Sequence, residues 1–134
     1  LVTNGQEELA SLSYLVTMAW ARANADATRR IGEYFEDRVR DLASRHSGLV
    51  SSVEGKRHML GIGFADLDVA RALVSDLNNA GLDISVQTYK SDCPPSALLK
   101  LPLIMGTKAV DRVVRSLDEA LAKAERPARR RRRA

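Results

Sequence analysis

The stretch "MLGIGF", Met59 to Phe64, sets Leu60, Ile62 and Phe64 on one side of an extended chain and Met59, Gly61 and Gly63 on the other. Alternation of this kind belongs to a strand with one apolar face. Its second face is nearly bare, so something is expected to pack closely over the glycines. From Leu49 onward the chain therefore reads as extended, and it must be covered on the Leu60 side.

The covering elements show the other period. Leu9, Leu12, Val16, Ala19, Trp20 and Ala23 recur at three and four, with Tyr14, Leu15 and Met18 adding apolar surface, so a first helix is expected to be widely buried. It stops around Asn24–Asp26, where Asn or Asp can cap a second helix with Ile31, Phe35, Val39 and Leu42 as its stripe. Gly48 reads as a left-handed stop. Asp66 caps a third helix with Val69, Ala70, Leu73, Val74 and Leu77 inward, ending at Gly81. "LDISVQTY", Leu82 to Tyr89, alternates throughout and is the clearest predicted strand. Pro94 and Pro95 make a loop, "SALLKL" a short strand ended by Pro102, and Gly106-Thr107 opens a last helix on Val110, Val113, Val114, Leu117 and Leu121. Short strands mixed with helices, without strict alternation, predict an α+β fold: a small, mainly antiparallel sheet covered by helices, preceded by a long helix.

At 134 residues, 45% of them hydrophobic and 28% charged, the chain suits one core. Aromatic residues are scarce at 4%, which leaves few platforms for stacking bases. No apolar run reaches about 18 residues, so no membrane span is read. Leu1 to Trp20 is interrupted by Asn4, Gln6, Glu7 and Glu8 and lacks a basic start, so it does not read as a signal peptide. The one cysteine, Cys93, excludes an internal disulfide and points to a reducing compartment, with a cytoplasmic location expected. No base lies near it in sequence to activate the thiol. The net charge of +4 includes six Arg in the last nine residues, and without them the remainder is acidic by two. His46 reads as a solvated helix-end residue and His58 as packed on the sheet, neither with metal-ligand company.

Three stretches, in order, resemble the carboxy-terminal part of class III pyridoxal-phosphate-dependent aminotransferases. In "TNGQEELA", Thr3, Gly5, Leu9 and Ala10 match that family's Thr-Phe-Gly-Gly-Asn-Pro-Leu-Ala turn. In "VEGKRHMLGIGF", Val53, Gly55, Met59, Leu60, Gly61 and Ile62 match its glycine-bearing strand, and "LLKLPLI", Leu98 to Ile104, is similar to its last strand before the terminal helix. The resemblance implies the family's small domain and a division into a turn and long interdomain helix over 1–24, an α+β domain over 25–126 and a disordered Arg-rich tail over 127–134. It further implies a position partway through a longer protein. On that likeness Thr3, Asn4 and Gly5 would meet the phosphate of pyridoxal 5'-phosphate held by the neighbouring subunit of a homodimer. A hydroxyl and free amides near a helix start suit an anion, and Gly5 allows close approach.

The sequence departs from the family at informative places. Gln6 stands for the second Gly of the turn, Glu54 for an Arg and Arg57 for a Gly. Leu98 falls where many relatives carry an Arg that clamps the substrate carboxylate, and Lys100, two residues on and so on the same strand face, is the cation nearest to compensating. The family's Schiff-base Lys lies upstream of the Thr-Gly turn, and none of Lys56, Lys90, Lys100, Lys108 or Lys123 has a matching context. No catalytic or metal-ligating residue is therefore assigned, and these residues alone are expected to be inactive toward a small amino or keto substrate. Two other classes compete. A binding module could use its consecutive arginines on nucleic acid, although the acidic remainder and scarce aromatics give that little support. A regulatory α+β domain could bind a small ligand or pair with itself.

Overall fold

The computed structural model describes residues 8–88 and 93–131, with side chains described as far as residue 125. The elements run α1 (Glu8–Ala23), α2 (Ala25–Arg45), β1 (Val50–Lys56), β2 (Met59–Phe64), α3 (Leu67–Asn79), β3 (Ser85–Gln87), β4 (Ser96–Lys100) and α4 (Thr107–Arg131). Every strand pairing is antiparallel, in the order β1-β2-β4-β3. Helices α2, α3 and α4 pack on one face, so the predicted α+β class, a small antiparallel sheet covered by helices, is what forms.

The core follows the two periods. From β2 come Leu60, Ile62 and Phe64, and from β4 Ala97 and Leu99, all buried. Facing them are Phe35, Val39 and Leu42 of α2, Ala70, Leu73, Val74 and Leu77 of α3, and Val110, Val114, Leu117 and Leu121 of α4. Each fully buried Leu or Phe contributes about 1.5–3 kcal/mol by leaving water. Asp66 caps α3 as predicted, its Oδ1 accepting from the amides of Asp68 (2.8 Å) and Val69 (3.4 Å).

Several local expectations are corrected. The extended stretch from Leu49 is two strands, a hairpin turning at Arg57-His58. Of the two glycines on its second face, only Gly63 is closely covered, by Ser51 and Ser52 of β1, whereas the space beside Gly61 is open. The strand predicted over 82–89 shrinks to Ser85–Gln87, because this edge strand has only the short β4 to pair with. Its approach is held differently, by the Ile84 amide donating to Asn78 Oδ1 (3.0 Å). Tyr89 lies outside the described residues. Gly48 is not left-handed; α2 ends at Arg45 with His46 as its cap, its amide bonded to Leu42 and Ala43. Asn24 stands at the start of α2 but makes no side-chain cap, since its Nδ2 donates back to the Trp20 carbonyl (2.8 Å).

The largest correction concerns α1. It is helical as predicted, yet none of its residues is buried. Leu9 is 76% and Met18 65% exposed, because α2, α3 and α4 already fill the covered face of the sheet. At the other end α4 continues to Arg131, past the core contact at Leu121.

Candidate cofactor and substrate face

The strand register divides the sheet into a helix-covered face and an open one. On the open face lie Glu54 and Lys56 of β1, Met59 and Gly61 of β2, Leu98 and Lys100 of β4, and Ser85 of β3. Leu98 is paired with Gly61 on one side and Ser85 on the other, and Lys100 with Met59. The structure thus brings Leu98 and Lys100 onto one face, as their spacing requires. Leu98 is half-buried and Lys100 exposed. Because Gly61 has no side chain and nothing stands where one would be, a recess adjoins Leu98.

The hairpin carrying this face is clasped at its tip. Gly55 at φ 95° and Arg57 at φ 52° make the reversal, a conformation glycine tolerates and Arg adopts only when held. The Arg57 amide donates to Glu36 Oε2 (2.7 Å) and its guanidinium pairs with Glu33 (3.1 Å). That amide, followed by the Arg40 guanidinium, lowers the pKa of the Glu36 carboxyl. Arg40 also donates to the Val53 and Gly55 carbonyls, at 3.0 and 3.1 Å. His58 does more than pack on the sheet: Nε2 lies 2.9 Å from the Thr28 carbonyl and Nδ1 3.3 Å from that of Leu101. The Leu101 amide returns a bond to the His58 carbonyl at 2.8 Å. Gly32, buried in α2, makes this approach possible, because a Cβ there would sit 2.7 Å from both Arg57 Cβ and the His58 ring.

His46 departs from expectation. It is 7% exposed and the one buried polar side chain among the described residues. Nε2 lies 2.8 Å from Asp118 and Nδ1 3.0 Å from Glu125, joining the end of α2 to α4. Asp118 also accepts from Arg45 (3.1 Å). The signal was its spacing, four residues after Leu42 on the buried stripe.

Thr3, Asn4 and Gly5, and with them the phosphate-binding expectation, lie outside the described residues, as does Lys90. Among the described lysines, Lys56, Lys100 and Lys108 are exposed, and Lys123 donates to Asp76 at 2.7 Å. Cys93 is exposed. No group of three or more His, Cys, Asp or Glu among the described residues could hold a metal, and none of their helices is long and apolar enough to cross a membrane.

A four-stranded antiparallel sheet with three helices on one face and a helix leading in is the fold of the aminotransferase small domain. Solved structures of similar fold include lysine aminotransferase from M. tuberculosis (TM-score 0.69, 15% identity), with 82% of this chain covering 24% of that one. An aminotransferase from Bacillus anthracis matches over 81% of this chain and 27% of its own (TM-score 0.67, 19% identity). A transaminase from the marine bacterium Virgibacillus matches over 85% and 28% (TM-score 0.67, 19% identity). The chain spans about a quarter of the length of these proteins, and at such identities the likeness is one of fold. No protein-family model matches the chain, and no curated protein matches its sequence.

Proposed function

We propose that this chain is the carboxy-terminal, small-domain part of a pyridoxal-phosphate-dependent aminotransferase of class III. It forms one wall of a substrate pocket and part of a dimer interface, while the lysine that binds the cofactor belongs to the large domain of such a protein. The observation that carries the reading is the fold match over 82% of this chain and only 24% of a lysine aminotransferase. In the assembled homodimer, Thr3, Asn4 and Gly5 contact the cofactor phosphate of the neighbouring subunit. Bound there, the cofactor supplies an electron sink for moving an amino group between a small amine or amino acid and a carbonyl acceptor. The contribution of this chain is shape and charge: Leu98 and the recess at Gly61 accept apolar substrate surface, and Lys100 beside them offers a point charge in place of an Arg fork.

Reduction with borohydride in the presence of pyridoxal phosphate tests the absence of the catalytic amine. Peptide mapping is expected to find only scattered, substoichiometric labelling of exposed lysines and no transamination activity. Stoichiometric labelling of one lysine, retained through dialysis before reduction, would overturn the reading.

A further inference from the structure

Helix α4 keeps its acids and its bases on different sides. Three acids lie against α2: Asp111 accepts from the Tyr34 hydroxyl (2.6 Å), Asp118 accepts from Arg45 (3.1 Å) and lies 2.8 Å from His46 Nε2, and Glu125 lies 3.0 Å from His46 Nδ1. The bases follow another row. Lys108, Arg112, Arg115, Lys123, Arg126 and Arg130 succeed one another at steps of three and four, with Glu119 between Arg115 and Lys123. Residues so spaced share one face of a helix. From Lys108 to Lys123 every member of the row is exposed, across the helix from the buried Val110, Val114, Leu117 and Leu121. The helix backbone puts Arg126 and Arg130 at the next two places. Lys123 is shared with Asp76 (2.7 Å), whereas among the described residues Lys108, Arg112 and Arg115 form no ion pair.

The row is long. From residue 108 to residue 130 the helix advances roughly 33 Å at 1.5 Å per residue, about one turn of a B-form duplex. It holds no aromatic residue on which an unpaired base could stack. It also lacks the apolar centre around which protein–protein interfaces are built. The apolar face of the same helix is spent on the core, so α4 has none to lay into a lipid surface. What remains is a ladder of point charges, which suits a partner whose own charge repeats along a line. A duplex presents one phosphate charge for about every 1.7 Å of its axis. We infer that the outer face of α4 binds the phosphate backbone of double-stranded nucleic acid without reading its sequence. The acidic balance of the chain outside its tail does not oppose this, because Asp111, Asp118 and Glu125 are held on the α2 side.

The inference does not rest on the aminotransferase reading, and its test needs no cofactor. Fluorescence anisotropy follows the full chain binding to two labelled DNA duplexes of unrelated sequence, each three helical turns long. Parallel titrations use oligothymidine of the same length, phosphatidylserine vesicles and polyglutamate. Both duplexes are expected to bind alike, with the other probes weaker by roughly tenfold or more, and affinity should fall steeply with salt. The triple variant Lys108→Gln, Arg112→Gln, Arg115→Gln keeps the tail and removes three charges of the row. It should weaken duplex binding at least about tenfold and make the log–log salt dependence shallower by roughly 2 to 3. Arg22→Gln, Arg30→Gln, Lys56→Gln changes the net charge equally on other elements and should stay within about twofold of the parent. All six residues are exposed and Gln keeps helix propensity, so both variants should fold. Absence of duplex binding at low salt overturns the inference. So does equal affinity for polyglutamate or vesicles, or a row variant that binds duplex as the parent does, which would leave the attraction to the terminal arginines alone.

Discussion

His46 shows how much a single residue can organise when both of its ring nitrogens face acids. Nε2 faces Asp118 at 2.8 Å and Nδ1 faces Glu125 at 3.0 Å. The bonds tie the last turn of α2 to the second half of α4, and Arg45 strengthens the same tie through Asp118. His46→Ala is expected to lower stability by about 1–3 kcal/mol in urea denaturation, since it removes the ring that links Asp118 and Glu125 to the end of α2. The Asp118 carboxyl is held below its ordinary range, first by the His46 bond and then by Arg45, against the opposing effect of burial. A pKa lower in the folded than in the unfolded chain makes its contribution complete above the unfolded value of about 4. It is lost as pH falls through the lower folded value. Acid titration of stability should therefore decline below about pH 4, and Asp118→Asn should flatten that decline. The burial of His46 was foreshadowed by its place on the stripe, but its partners, more than 70 residues away, were not.

At the scale of elements, α2 and α1 make opposite points. Helix α2 carries Gly32 in its interior, where glycine costs roughly 1 kcal/mol against alanine. The cost is offset because the hairpin tip lies against it, bringing Arg57 to Glu36 and His58 to the Thr28 carbonyl. Gly32→Ala should thus destabilise despite its better helix propensity, by about 1–3 kcal/mol, through displacement of the tip. The double variant with His58→Ala should lose part of that penalty, a coupling that a thermodynamic cycle measures. Helix α1, by contrast, has no fully buried residue, and Val16 and Trp20 share an open hollow with Leu103 and Ile104. Removing residues 1–24 should change the unfolding free energy by less than about 1 kcal/mol, and limited proteolysis should cleave in α1 before the rest. Apolar periodicity announced the helix correctly; it carried no information about which surface the helix would meet. The edge strand β3 erred the other way. Its alternation extends over eight residues, but ladder length is decided by the partner, and of the five residues of β4 only Ser96, Ala97 and Leu98 pair with it.

Across the whole molecule, among the described residues the helices cover one side of the sheet, the other side carries Leu98, Lys100 and the recess at Gly61, and α1 is separately exposed and apolar. Such a pair of uncovered surfaces is consistent with a domain that works against a larger body, as proposed from its likeness to a quarter of an aminotransferase. Element types, the inward stripes of α2, α3 and α4, the Asp66 cap and the fold class were legible in the chain, because they depend on local period and local hydrogen bonding. Strand order, the clasp of Arg57 and His58 on Gly32, the His46 bridge and the apolar cavity at the end of β4 were not. Each joins residues far apart in sequence, and their meeting depends on how helices and sheet pack in three dimensions rather than on any short-range pattern.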